Sequence, residues 1–234
     1  MPTAKSVFEA VTKRLLEAWK TEEPSGRGHK YACQCRRPVF FHNSLCLGCK
    51  SPLGYEPERA QVCALQPVAT KDAWQIVGDK SPAPSWRRCE NFNSPAGCNW
   101  LTPADQEETL CRSCRLNRTI PDLDDPDNGR WWRQIENAKR RLVSQLLLLG
   151  LPVTSKVSED PERGVMFDFL RSPPAGPRVL TGHAGGLITL NVEEADDSTR
   201  EKIRHEMREP YRTLLGHFRC RATAIPPSSR LTRR

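Results

Sequence analysis

The spacing of the cysteines constrains this chain more than any other feature of its sequence. Eight of the ten cysteines fall into two groups of four. The first cysteine group consists of Cys33, Cys35, Cys46 and Cys49, and the second consists of Cys89, Cys98, Cys111 and Cys114. Four thiolates about 2.3 Å from a common centre form the tetrahedral site that zinc prefers. The sequence therefore predicts two structural zinc ions, one in each group.

The two groups differ in how closely their cysteines are spaced in the sequence. In the first group, one or two residues separate the cysteines of each pair, so that a tight turn can aim both sulfurs at one point. Gly48 is expected to supply the backbone angle that such a turn needs. In the second group, eight residues separate Cys89 from Cys98, and only the pair Cys111 and Cys114 has the short spacing. The first group is typical of a zinc ribbon, and the second is predicted as a zinc site from its closing pair.

Disulfide bonds and a redox-active cysteine pair are the two alternatives to zinc binding. A disulfide scaffold is typical of secreted proteins, but residues 1–20 lack the apolar core of a secretion signal. A thioredoxin-like pair requires Cys-x-x-Cys at a strand-to-helix turn, and neither pair has that context. We therefore expect a cytoplasmic, zinc-binding protein. Cys63 is expected to lie half-buried between the two zinc modules.

Composition argues against a membrane protein and gives weak support to a nucleic-acid partner. The longest apolar run, 146–153, is interrupted by Gly150 and Pro152 and is shorter than the ~20 residues of a membrane span. The formal net charge is +8, but five arginines lie in the last sixteen residues, where no acid offsets them. Two zinc ions bound by thiolates would lower the net charge by about four units.

The apolar pattern predicts few regular elements in the first 150 residues. Residues 4–20 have the pattern of an amphipathic helix, and residues 58–84 are expected to connect the two zinc modules. A long helix is predicted where six apolar residues recur at helical spacing before Gly150 and Pro152. They are Trp131, Ile135, Ala138, Leu142, Leu146 and Leu149. Its basic residues, Arg133, Lys139, Arg140 and Arg141, are expected to lie in solvent.

Strands and short helices are predicted in the remaining residues. Residues 165–169 and 187–192 have the pattern of strands, with a loop over 182–186 before the second strand. Residues 198–201 form a capping box that opens a helix, and Pro210 is expected to end it and to begin a further helix over 210–218. The elements together predict an α+β fold.

Three segments carry a family resemblance. They read CRSCRLNRTIPDL over 111–123, LTGHAGGLITLN over 180–191 and EPYRTLLGHFR over 209–219. With these segments, the chain resembles a family of zinc-binding metallopeptidases with an N-terminal zinc-ribbon domain, from about Tyr31 to Arg219. The resemblance implies a small zinc ribbon with both four-cysteine sites, then a long helix and an α+β metallopeptidase-like domain. We expect a helical extension and linker over 1–29, the zinc-ribbon region over 30–120, an incomplete metallopeptidase-like domain over 121–219 and a basic, disordered tail over 220–234.

The resemblance implies that a His-Glu-x-x-His motif begins directly after Arg219, but Cys220 and an Arg-, Ala-, Pro- and Ser-rich tail stand there. We interpret this junction as a shifted reading frame or a truncation and expect no catalytic residue and no peptidase activity. His205 and Glu206 begin like the motif, but Glu209 replaces the second histidine and precedes Pro210. The lone histidines His183 and His217 define no site.

The incomplete domain is expected to be unstable, because the helix that should cover its strands is missing. The apolar residues expected to be partly exposed are Phe167, Phe169, Leu187, Ile188, Leu190 and Leu214.

Two classes of function follow from the sequence. In the first, the chain is a zinc-binding protein whose ribbon is attached to a truncated, inactive metallopeptidase-like domain. In the second, the zinc ribbon is an interaction module that binds protein or nucleic acid. Arginines near the cysteines favour the second class modestly: Arg36, Arg37, Arg87, Arg88, Arg115 and Arg118. The sequence identifies no substrate or particular partner.

Overall fold

The computed structural model of the protein describes residues 31–80 and 84–207. The predicted helices over 4–20 and 210–218 and the tail over 220–234 lie outside the described residues, as do Leu214 and His217. The described part is a mixed structure of sheets with few helices, and the α+β prediction is confirmed. Neither of its α-helices has the length and apolar character needed to cross a bilayer.

The structure begins with a short hairpin. Strands β1 (Tyr31–Ala32) and β2 (Pro38–Val39) pair antiparallel, and the turn between them contains Cys33 and Cys35. In the apolar run over 39–41, Val39 and Phe41 are buried and Phe40 is exposed. This alternation fits a chain with one face on a core and the other in water.

A five-stranded antiparallel sheet joins the regions of the two cysteine groups. Its strands are β3 (Leu53–Glu56), β4 (Gln61–Pro67), β5 (Ala73–Ile76), β6 (Trp86–Arg88) and β7 (Leu101–Pro103), in sequence order. The segment predicted to connect the zinc modules thus provides two strands of a shared sheet. Cys63 lies on β4, buried in a small cluster with Leu65, Ile76, Trp86 and Leu101.

The long helix forms as predicted. Helix α1 spans Pro126–Leu148, and the side chain of Asp125 caps it by accepting from the backbone N–H of Asp127 at 2.9 Å. Pro126 occupies the first turn, where a missing N–H costs nothing. After the helix, Gly150 has a positive φ of 69° and donates to the carbonyl of Leu147.

A second sheet has the strand order β10-β11-β9-β8. Its strands are β8 (Asn117–Thr119), β9 (Met166–Leu170), β10 (Gly182–Ala184) and β11 (Leu187–Asn191). Strand β9 runs parallel to both β8 and β11, whereas β10 and β11 form an antiparallel hairpin. The two predicted strands are confirmed, but part of the predicted loop is strand β10, because Gly185 and Gly186 adopt the positive φ angles of a tight hairpin turn.

Helix α2 spans Asp197–Met207 and is capped differently from the prediction. The carboxylate of Asp196 accepts from the backbone N–H of Thr199 at 3.0 Å, and the Asp196 carbonyl accepts the N–H of Arg200. Asp196, and not Ser198, is therefore the N-cap residue.

The expectation of exposed strands in the second sheet is wrong. Phe167, Phe169, Ile188 and Leu190 are at most 3% exposed, and Leu187 is partly buried. They share one core with the buried side of α1, including Trp132 and Ile135. Helix α1 covers this sheet, so burial of these strands does not depend on the expected later helix.

Candidate metal centres

The first cysteine group is built from two turns. Cys33 lies at the end of β1, where its N–H donates to the carbonyl of Arg37 and its carbonyl accepts from Arg36. Cys46 begins a second turn, in which its carbonyl accepts the N–H of Lys50. Arg36 and Lys50 both adopt positive φ angles, 63° and 59°. These two turns bring the sulfurs of the group to within 4.8 Å of one another.

The prediction for Gly48 is wrong, because Gly48 does not adopt a positive φ angle. Its role is steric, since the absence of a side chain leaves room for Arg37. The positive φ angles in this region belong to Arg36 and Lys50. A Cβ atom on Gly48 would lie 2.3 Å from Cδ of Arg37. The missing side chain therefore lets the Arg37 stem lie across the turn.

The first group is half-open to solvent. Cys33 and Cys46 are buried, whereas Cys35 and Cys49 are exposed. Burial raises the pKa of the Cys33 thiol to about 12. Hydrogen bonding with Ser51, whose Oγ lies 3.2 Å from Sγ of Cys49, lowers the pKa of Cys49 to about 6. The exposed Cys49 thiol therefore ionises more readily than the buried Cys33 thiol.

The second cysteine group is fully buried and collects its members from three short segments. Cys89 directly follows β6, and Cys98 follows Gly97, whose φ is 56°. Cys111 and Cys114 flank a turn that leads through a short 3-10 helix into β8. The N–H of Cys111 donates to Sγ of Cys89 at 3.3 Å, so a backbone donor also faces the group. Each of the four residues is at most 1% exposed.

The sulfur distances fit a zinc ion. In a tetrahedron with bonds of about 2.3 Å, two ligand atoms lie about 3.8 Å apart. The sulfurs of Cys33 and Cys49 are 3.6 Å apart, and those of Cys35 and Cys46 are 3.7 Å apart. In the second group, Cys98 and Cys111 are 3.6 Å apart. All nine cysteines in the described residues are free, so the eight thiols are available as ligands. In each group, all four sulfurs lie within 4.8 Å of one another.

Sequence reasoning missed three charged residues of α1 beside the second group. Lys139 and Arg140, predicted to lie in solvent, are 0% and 1% exposed, and Glu136 is 0% exposed. Oε2 of Glu136 lies 4.0 Å from Sγ of Cys114, and its Oε1 accepts from Lys139 at 2.7 Å. A signal was present, since Lys139 lies four residues after Ile135 and three before Leu142, on the apolar stripe.

Arg140 extends from α1 toward the second group. Its Nη2 donates to the carbonyl of Ala96 at 3.1 Å, and its Nη1 lies 3.7 Å from the Glu136 carboxylate. Burial lowers the pKa of Arg140, but the negative charges of Cys98 and Glu136 raise it, and the net direction is upward. Arg140 is therefore a buried cation held beside the thiolates.

The histidines form no comparable site in the described residues. His205 and Glu206 lie exposed on α2, and Arg208 and Glu209 fall outside the described residues. His183 lies on β10, opposite Ile188. Within residues 31–80 and 84–207, the clusters that could hold a metal are the two cysteine groups.

Comparison with known families agrees with this arrangement. Residues 30–125 match the model of a zinc-ribbon domain, and residues 128–223 match the model described as "Putative zinc-binding metallo-peptidase". The predicted resemblance is thereby confirmed, with the two regions in the predicted order. No solved structure matches the chain.

Mycobacterial proteins are similar to the chain. Uncharacterized protein Rv2568c of Mycobacterium tuberculosis is 40% identical over 185 residues, which cover 79% of this chain and 49% of the relative. Uncharacterized protein Mb2598c of Mycobacterium bovis matches to the same extent. The chain thus spans about half the length of the curated relatives it matches.

Proposed function

Because this chain joins a zinc-ribbon domain to a domain of the zinc-binding metallopeptidase family, we propose that each cysteine group holds one structural zinc ion. The convergence of four sulfurs at tetrahedral spacing carries the proposal. The ligands of the first ion are Cys33, Cys35, Cys46 and Cys49, and those of the second are Cys89, Cys98, Cys111 and Cys114. Zinc bound by four thiolates contributes free energy to folding.

Neither proposed site is suited to hydrolysis. A hydrolytic zinc keeps one coordination position open for water, and four thiolates fill the tetrahedron. The 234 residues contain no His-Glu-x-x-His sequence that would supply two histidine ligands and a general base. We therefore expect no peptide hydrolysis from these residues and assign the zinc ions a structural role.

The proposed division of the chain places the ribbon region over 30–120 and the metallopeptidase-like region over 121–219. The two family matches, which leave a gap between residues 125 and 128, support a boundary close to residue 120. We place the protein in the cytoplasm, because a reducing compartment preserves thiolates as metal ligands.

The contacts favour this structural role over binding of nucleic acid. The Arg88 guanidinium lies 4.8 Å from the ring centroid of Trp74 and 4.0 Å from that of Phe92. Arg115 pairs with Glu159 at 2.9 Å, and Arg118 pairs with Asp168. Three of the six arginines that favoured an interaction module are therefore engaged within the protein.

Metal analysis of the purified chain tests the proposal. Native mass spectrometry of protein purified without oxygen is expected to show two zinc ions per chain, and Cys46→Ser is expected to retain one. Cys63→Ala is the matched control, since Cys63 belongs to neither group, and it is expected to retain both ions. Absence of bound metal from the wild-type chain would overturn the proposal.

A further inference from the structure

We propose that metal binding at the second cysteine group is coupled to the docking of helix α1, with Arg140 as the positioning residue. The inference rests on the proposed function, because it requires a metal ion in that group. It links a site in the zinc-ribbon region to a helix of the metallopeptidase-like region.

A metal ion in the second cysteine group would leave a buried negative charge. Four thiolates and one Zn²⁺ leave a net charge of about −2. All four cysteines are at most 1% exposed, so water cannot compensate this charge well. Arg140 is also 1% exposed, and its Nε and Nη1 atoms form no hydrogen bond. The guanidinium therefore places a positive charge in the same buried region, where its Nη1 also faces the Glu136 carboxylate at 3.7 Å.

The loop between Cys89 and Cys98 joins the second cysteine group to helix α1. A single metal ion bound by both cysteines would close this loop at its two ends. The loop presents two backbone carbonyls to α1: that of Pro95 accepts from Nε of Arg133 at 2.7 Å, and that of Ala96 accepts from Arg140 at 3.1 Å. Loss of the metal would release the loop ends and weaken both contacts with the helix.

A separate connection leads from Cys114 to the second sheet. Asn117, three residues later, donates to Oε1 of Glu136 at 2.9 Å and accepts from Nζ of Lys139. Asn117 also begins β8, which pairs with β9. Asn117 thus links the second cysteine group to Glu136 and Lys139 of α1 and to the second sheet.

The first cysteine group has a different environment. Two of its four cysteines are exposed, and Sγ of Cys49 contacts the Ser51 hydroxyl. Solvent can therefore screen the charge of a metal bound there. We expect the affinity of the first group to depend much less on Arg140.

Site-resolved competition tests the coupling on the full zinc-loaded chain. Zinc is withdrawn with increasing concentrations of a chelator, free thiols are alkylated, and mass spectrometry reports which cysteines have reacted. For Arg140→Met, we expect zinc affinity at the second group to fall by about 10- to 100-fold, the usual effect of removing an outer-shell partner of a metal site. The first group is expected to keep its affinity to within about 3-fold, since solvent screens it.

Matched variants separate charge from packing. Arg140→Lys keeps the positive charge and is expected to restore most of the lost affinity. Arg133→Met removes a helix-to-loop hydrogen bond without removing the buried cation, and is expected to have a smaller effect than Arg140→Met. If Arg140→Met does not fold, Arg140→Gln takes its place as the uncharged variant. An affinity at the second group that is as low in Arg140→Lys as in the uncharged variant would overturn the proposed role.

Failure of this inference is distinguishable from failure of the proposed function. A second group that binds zinc with the same affinity in the wild type and in Arg140→Met would overturn the coupling alone. A wild-type chain without zinc would overturn the proposed function itself.

Discussion

Oε2 of Glu136 lies 4.0 Å from Sγ of Cys114, although the first residue belongs to the long helix and the second to the zinc-ribbon region. The two regions also share one hydrophobic core, which includes the cysteines of the second group, Trp132 of the helix and Phe169 of the second sheet. The two family matches, over 30–125 and 128–223, are therefore separate in sequence, but the residues that they cover share one core. Loss of a ligand from the second cysteine group should therefore destabilise the sheet that contains β8 and β9.

Hydrogen exchange is expected to distinguish the two cysteine groups. Cys111→Ser should increase amide exchange in β8 and β9, because β8 begins three residues after Cys114 and pairs with β9. Cys35→Ser, the matched variant of the first group, should increase exchange mainly in the β1–β2 hairpin. Equal effects of the two variants on β9 would contradict this prediction.

Removal of Lys139 is expected to destabilise the protein strongly. Lys139→Met should lower the free energy of unfolding by about 3 kcal/mol, because Glu136 would remain buried without one of its cationic partners. The control is Arg130→Met, which removes an exposed ion pair with Asp127 and should cost less than about 1 kcal/mol. Urea denaturation of the zinc-loaded variants measures both values. Similar losses in the two variants would show that the buried pair contributes no more than the exposed one.

The hairpin glycines are expected to differ in their tolerance of alanine. Both have positive φ angles, but a Cβ atom on Gly186 would lie 2.5 Å from the backbone oxygen of Gly164, and a Cβ atom on Gly185 would meet nothing within 4 Å. Gly185→Ala should therefore cost about 1 kcal/mol from backbone strain alone. Gly186→Ala should cost at least twice as much in the same denaturation experiment. Equal costs would mean that the hairpin shifts to relieve the contact.

Peptidase assays of the 234-residue chain with added zinc are expected to show no cleavage. His205 and Glu206 are exposed on α2, and the sequence has no histidine four residues after His205. Chelator-sensitive cleavage that His205→Ala abolishes would identify a catalytic site at this helix. Cleavage that persists in His205→Ala would contradict the expectation without involving that helix.

The sequence by itself was sufficient to predict those elements whose pattern is contained in residues close together in the chain. Cysteine spacing predicted both clusters, because short spacers limit where the paired sulfurs can point. Helical periodicity and the stop at Gly150 predicted α1, and apolar alternation predicted β9 and β11. The family resemblance was also carried by contiguous segments of the sequence.

Only the tertiary structure decided which distant groups compensate the buried charges of α1. The apolar stripe of the helix includes Lys139, but the partners of Lys139 and Arg140, Asn117 and Ala96, come from segments 22 and 44 residues away. The same holds for residues 61–67 and 73–76, which become strands by pairing with each other and with β3 and β6. A buried charge is stable only where distant groups compensate it, and a strand only where another strand accepts its hydrogen bonds. Both conditions depend on how the chain folds back on itself, which local residue patterns do not specify.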